Sequence, residues 1–262
     1  MTTAFATPVP TVDVTDLTRQ VREMYTQVAR EPESSFHFAT GRGLAHRLGY
    51  DRALLEAIPA EAVDSFAGVG NPIRLADLRP GERVLDLGSG SGTDLFAAAV
   101  RVGPTGRVVG RDFTQAQLAK AEHLRSRDGF SNVELSDGPI EALPFADETF
   151  DAVISNGVIN LSPRKADVFA EAARVVRRGG RLVVSDIVAT DHLPDTVVGN
   201  ADLWAACIGG AAQVDDYRTL ITEAGFDILL LRRNDYAFLS DRAAGATMTW
   251  GVKSVTLIAS RR

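Results

Sequence analysis

Val84-Leu85-Asp86-Leu87-Gly88-Ser89-Gly90-Ser91-Gly92-Thr93-Asp94 is the stretch on which the fold turns. Apolar residues run straight into three alternating glycines, and the glycines open onto a helical window. This is the pattern of strand, tight loop and helix start. Glycine lets a backbone approach a ligand closely, and a helix start presents free N–H groups. Working outward, short apolar runs predict strands at 83–87, 107–111, 133–136, 150–155, 181–186, 228–232 and 253–259. Helical windows fall between them, most clearly at 114–127, 165–176 and 215–224. Thr114 and Asp215 are suitable N-caps, while Gly129, Gly179 and Gly225 stand where helix ends favour a left-handed residue. Strands alternating with helices mean βαβ units and a parallel, doubly wound α/β sheet. Residues 234–251 read as a long loop, which permits an antiparallel last strand.

Upstream of Pro80 the texture is helical. Leu17, Val21, Tyr25 and Val28 recur at spacings of four, four and three, with Thr15 as a cap and Pro32 as the stop. The segment 34–49 (SSFHFATGRGLAHRLG) resists assignment, and short helices follow at 52–58 and 60–66. The first dozen residues, rich in Thr, Pro and Ala, read as a flexible tail. The expected division is a helical N-terminal cap over 1–79 and a core over 80–262. The 262 residues are 45% apolar and 24% charged, ordinary for a globular protein able to bury about 70% of its surface. A net charge of −6 without a basic block argues against nucleic acid or anionic membrane as partner. The single cysteine, Cys207, excludes an intrachain disulfide and a multi-cysteine zinc site, and no metal site is expected. No apolar run approaches the ~18 residues of a membrane helix, and MTTAFATPVP lacks the regions of a signal peptide. The expected location is cytoplasmic.

The glycine loop gains weight from Val108-Val109-Gly110-Arg111-Asp112, which sets an acidic residue at the tip of the second strand. A carboxylate there can accept hydrogen bonds from both hydroxyls of a ribose. Asp112 can equally cap the helix beginning near Thr114. The loop reads DxGxGxG, not the GxGxxG of a pyrophosphate site, and no second nucleotide motif follows. Asp86 stands where it could organise the ammonium of a methionine end. A methyl donor, S-adenosylmethionine, is therefore preferred to a hydride carrier.

With VLDLGSGSGTD (84–94), VGPTGRVVGRDFT (102–114), GPIEALPF (138–145), FDAVISNGVINLSPRK (150–165), EAARVVRRGGRLVVSDIV (171–188) and LWAACIGGA (203–211), the chain resembles class I S-adenosylmethionine-dependent methyltransferases, in particular the arsenite methyltransferases. SNGVINLSP is far more specific than the glycine loop. The resemblance implies a Rossmann-like seven-stranded sheet whose last strand is antiparallel. It implies that Gly88, Ser89 and Gly90 line the cofactor, with Gln117 nearby. Asp112 holds the ribose, Phe113 packs on adenine, and Ile140 and Glu141 lie at the adenine edge. Asn156 offers a carbonyl to the methionine ammonium, and Tyr25 faces the carboxylate.

The chain departs from this family at its arsenic-binding cysteines. Where the family has SNCVINL, Gly157 stands, and where it has Gly-Cys-Gly before Asn-Pro, the chain reads Gly68-Val69-Gly70-Asn71-Pro72. Only Cys207 keeps its place. The expectation is a methyltransferase with a small-molecule acceptor other than arsenite, bound beside Gly157, Cys207 and Trp204 and yielding S-adenosylhomocysteine. Two alternatives stand beside it: a metalloid methyltransferase using Cys207 with an external thiol, and a non-catalytic cofactor-binding protein. No catalytic base is evident; His37 and Cys207 are the candidates. Cys207 is equally a buried small hydrophobe, His37 and His46 equally surface or packing residues, and Trp204 and Trp250 either pocket walls or core. A homodimer is an open alternative.

Overall fold

Alternation along the central strands is what divides the molecule into layers. In the computed structural model, which describes residues 12–239 and 241–262, Val84, Ala152, Ile154 and Val183 pack to one face of the sheet. Leu85, Leu87, Val153, Leu182 and Val184 pack to the other. Successive strand residues point to opposite faces, so a strand buried on both sides is mostly apolar.

The chain begins with α1 (Val14–Arg30), followed by α2 (Gly41–Arg47), α3 (Arg52–Glu56), α4 (Ala60–Asp64) and α5 (Pro72–Leu75). Then come β1 (Arg83–Leu87), α6 (Thr93–Val102), β2 (Arg107–Asp112), α7 (Gln115–Arg127), β3 (Val133–Asp137) and β4 (Phe150–Asn156). A turn of 3-10 helix at Ile159–Leu161 leads to α8 (Lys165–Val175), β5 (Val176–Ala189), α9 (Asp195–Val198) and α10 (Ala201–Ala205). The chain ends with β6 (Ala212–Gln213), α11 (Val214–Glu223), β7 (Phe226–Arg233), α12 (Asp241–Trp250) and β8 (Lys253–Arg261). The sheet order is β3-β2-β1-β4-β5-β8-β7. The first five of these strands pair in parallel, and β8 runs antiparallel to both β5 and β7. These are the seven expected strands with the antiparallel last one; the two-residue β6, beside β5, is an eighth.

Several local expectations are corrected. Residues 234–251 are not all loop, because α12 occupies Asp241–Trp250. Asp13, not Thr15, caps α1, its carboxylate accepting from Thr15 N and Asp16 N. Gln213, not Asp215, caps α11 in the same way. Thr114 holds the N-cap position of α7 but makes no side-chain cap bond. Gly179 has φ 71° yet lies inside β5, whereas Gly129 and Gly225 follow helix ends as expected. The tail expected over the first dozen residues falls almost wholly outside the described residues.

Candidate functional site

Register brings the site together. Leu87 pairs with Arg111 on one side and Ser155 on the other, so Gly88, Asp112 and Asn156 all emerge at the carboxyl edge of the sheet. Gly88 N and Ser89 N donate to Arg111 O at 2.7 and 3.2 Å, folding the loop over the tip of β2. Gly88 has φ 71°, and a Cβ there would collide with the Val158 side chain. Only glycine lets this backbone pass. The Asp112 carboxylate then fastens the loop: Oδ2 accepts from Gly90 N at 2.9 Å and Oδ1 from Thr114 N at 2.8 Å. Helix start and loop are both held by Asp112, and each oxygen keeps acceptor capacity for a further donor.

Beside this loop lies a cavity of about 340 Å³. Tyr25, Asp86, Gly88, Ser89, Gly90, Asp112, Phe113, Gln117, Ile140, Glu141, Asn156 and Gly157 all line it. One wall comes from α1, through Leu17, Thr18, Val21, Arg22 and Tyr25. Two residues of α7 dock that helix: Gln117 Nε2 donates to Tyr25 O at 2.9 Å, and Lys120 Nζ to Ala29 O at 3.0 Å. Arg111 pins the loop carrying Ile140 and Glu141, donating to Pro139 O and Ala142 O. Its partners were not legible in the sequence; its place beside Asp112 was the only signal.

The electrostatics of the cavity are unusual. Asp86, Asp94, Asp112 and Glu141 line it against a single guanidinium, that of Arg22, which lies 5.4 Å over the Phe113 ring. Burial pushes the Asp86 carboxyl well above the usual carboxylate range, with added repulsion from Asp94 and Asp112. Burial also raises Asp94, to about 6, against the pull of hydrogen bonds from Tyr50 and Asn156. Asp112 is raised by burial, opposed by the N–H groups of Thr114 and Gly90. Asp86 Oδ2 and Ser89 Oγ are buried without a hydrogen-bond partner. A negative, partly unsatisfied cavity with a glycine cradle fits a cationic nucleoside, and S-adenosylmethionine is one.

Five residues weighed in the sequence lie off this cavity. His37 Nε2 contacts Ala205 O at 3.2 Å, its ring packs edge-on against Phe38, and burial lowers its pKa. Trp204 is 2% exposed, donates Nε1–H to Val198 O and lies 4.7 Å under Lys165 Nζ, so it is core. Cys207 is buried with φ 60°, and burial pushes its thiol up to about 11. Trp250 is half-buried at the end of α12, packing against the cluster that holds Cys207. His46 borders a separate depression with Arg42, Arg52 and Glu56. Among the described residues no group of three His, Cys, Asp or Glu side chains could hold a metal, and no helix is long and apolar enough to cross a membrane.

A family model described as a methyltransferase domain matches residues 78–225. The curated arsenite methyltransferase of Halobacterium salinarum is 41% identical over 219 residues, covering 83% of this chain and 56% of that protein. The chain spans about half the length of the curated relatives it matches. The crystal structure of an arsenic(III) S-adenosylmethionine methyltransferase from Chlamydomonas reinhardtii is 33% identical, with a TM-score of 0.63 over 84% of this chain and 73% of that one. The geranyl diphosphate C-methyltransferase of Streptomyces coelicolor, solved with S-adenosyl-L-homocysteine, has a TM-score of 0.64 over 92% of this chain and 98% of its own at 14% identity, a likeness of fold alone. With the domain match covering more than half of its length, and the algal enzyme similar in sequence and fold together, this chain belongs to the methyltransferase domain family, in the class I S-adenosylmethionine-dependent branch.

Proposed function

We propose that the chain transfers the methyl group of S-adenosylmethionine to a small organic acceptor, on a scaffold shared with arsenite methyltransferases but with a changed acceptor end. The observation that carries this reading is the pairing of Gly157 with Val69. A Cβ at Gly157 would stand 3.3 Å from Val69 Cγ1, so the two positions where the resemblance expects cysteines adjoin each other and hold no sulfur. Trivalent arsenic is a soft centre that wants thiolates. A hydrogen and an isopropyl group suit an organic molecule instead.

In this reading residues 1–79 form the cap and 80–262 the cofactor-binding core. Asp112 accepts from the ribose hydroxyls, Phe113 packs on the adenine, and Ile140 and Glu141 border its edge. Gly88, Ser89, Gly90 and Gln117 line the cofactor; Asp86 and the Asn156 carbonyl face the methionine ammonium, and Tyr25 the carboxylate. When bound, the cofactor supplies a sulfonium whose methyl is already a strong electrophile. The protein aligns an acceptor atom within about 3–3.5 Å of it and excludes water. The apolar wall of Leu17, Val21, Val158 and Leu161 serves that exclusion. The raised pKa and burial of Cys207 keep it a neutral thiol, and His37 lies outside the cavity, so neither supplies a base there.

A second reading, methylation of arsenic through Cys207 and an external thiol, is favoured by the names of the relatives. Titration calorimetry with S-adenosylmethionine tests the first: Asp112→Ala is expected to weaken binding at least about tenfold, through lost charge-assisted hydrogen bonds. Unchanged affinity would remove the ribose assignment. A panel of acceptors that includes trivalent arsenic with glutathione separates the two readings, the second requiring arsenic turnover that Cys207→Ser abolishes.

A further inference from the structure

Between β4 and α8 the chain turns back along the cavity, and one inward-facing cation holds that turn. The 3-10 turn at Ile159–Leu161 and the residues beside it put Val158, Leu161, Ser162 and Pro163 into the cavity wall. A helical turn ends in carbonyls that its own N–H groups do not reach. Two carbonyls here, Asn160 O and Ser162 O, accept from Lys165 Nζ at 3.1 and 2.8 Å. Lys165 is half-buried along its stem, and its ammonium lies over the buried ring of Trp204. The turn is also confined from the far side, since a Cβ at Gly210 would collide with Asn160 O.

The same turn reaches a second wall of the cavity. Ser162 Oγ donates to Glu141 Oε1 at 2.5 Å, and Glu141 lines the cavity from the connection between β3 and β4. Arg164 N donates to Ser162 Oγ at 3.1 Å, which leaves the hydroxyl proton for Glu141. Beyond the ammonium, the Asp186 carboxylate is fixed on β5 by Tyr217 Oη at 2.7 Å and Ile187 N at 2.8 Å. Taking an ammonium out of water is costly unless its donors find partners. An apolar side chain would cover Trp204 without that cost. What the ammonium adds is its grip on the turn.

We propose that Lys165 is a positioning residue for the cofactor: its ammonium fixes the turn that walls the cavity, and through Ser162 that turn aims Glu141 at the adenosine. The inference rests on the cofactor reading above, in which Glu141 borders the adenine. The charged groups facing Lys165 are Asp186 from β5 and Glu141, with Tyr217 of α11 and Cys207 next to Asp186. On its own element Arg164 and Asp167 pair with each other at the surface. Burial lowers Lys165 to about 8, against the pull of Asp186 and Glu141. Its charged form is present below about pH 8 and lost above it, so the grip on the turn loosens as pH rises. Asp186, raised to about 6 by burial, is ionised throughout that range.

The test is titration calorimetry of the full chain with 5′-methylthioadenosine, a neutral adenosine thioether with no group that titrates between about pH 7 and 9.5. The parent should bind it at about pH 7 and lose at least about threefold in affinity as pH rises through about 8. Lys165→Met keeps an apolar stem over Trp204. It should bind at least about threefold more weakly at about pH 7 and show no change with pH. A lysine with a structural role alone would lower Tm in that variant but leave the affinity of the folded protein and its pH profile as in the parent. That result overturns the proposal, and so does a parent profile that is flat with pH; both leave the cofactor reading standing. A parent that binds neither methylthioadenosine nor S-adenosylhomocysteine overturns the cofactor reading and the proposal together. Should Lys165→Met not fold, Ser162→Ala keeps the ammonium and its two carbonyls and removes the hydroxyl that joins them to Glu141. It should weaken methylthioadenosine at about pH 7 by at least about threefold and abolish the fall with pH, and parent-like binding overturns the proposal.

Discussion

The burial of Asp94 works against the stability of the protein. Its carboxyl has a folded pKa of about 6 against 3.8 in free solution, the cause being burial. A carboxyl raised on folding binds its proton more tightly in the native state, so its contribution to stability is present below about pH 4 and is lost as pH rises through about 6. Asp94→Asn removes that loss, although the amide cannot accept both bonds that Tyr50 and Asn156 donate. Thermal unfolding without ligand at about pH 7.5 is therefore expected to show the variant more stable by about 1–2 kcal/mol, with the gain gone near pH 4. Equal or lower stability at the higher pH contradicts the assignment of a buried, repelled carboxylate.

Among the elements, α1 has the largest share in a site it does not belong to by sequence. Leu17 and Val21 turn to the protein, with Tyr25 and Arg22 beside the cavity, while Asp13 secures the first turn. Asp13→Ala should cost about 1 kcal/mol, lowering Tm by about 2–4 °C. Cofactor affinity should fall with it, because the frayed turn adjoins the cavity wall; calorimetry on the same sample checks this. The caps themselves show why local reading stops short. Asp13 precedes Thr15 by two residues and both satisfy the capping preference, whereas Gln213, two residues before Asp215, is not a favoured N-cap type and so carries no local signal. Chain direction at the helix entrance decides between them. Helix α12 is harder still, since DRAAGATMTW carries a glycine and two threonines and little amphipathic pattern; Ala246 joins the cluster of Ile187 and Ala189 from β5, and Trp250 O accepts from Thr190 N and Asp191 N, so tertiary contacts hold what propensity does not.

At the scale of the molecule, the cavity is walled by the N-terminal region and the sheet together, so a ligand filling it ties the two. S-adenosylhomocysteine at about one hundred times its Kd should add about 2.7 kcal/mol and raise Tm by roughly 5–10 °C. A differential scan that shows no shift would speak against binding at this cavity. The seven main strands, their parallel start and antiparallel close were legible because each is a short run carrying branched apolar residues, buried on both faces in the central strands and partly exposed in β3 and β7. So were the glycine loop and Asp112, which are contiguous with strand ends. The alternating pattern and the glycines thus determined by themselves the sheet and the cradle, for these are local consequences of side-chain volume and backbone freedom, while the class of ligand needed the acidic residues and the family motifs beside them. Only the tertiary structure decided that Asp94 meets Tyr50 across 44 residues, that Val69 covers Gly157, and that Cys207 and Trp204 lie behind the cavity rather than in it. Those contacts depend on how loops far apart in the chain converge at one edge of the sheet, and no periodicity records that convergence.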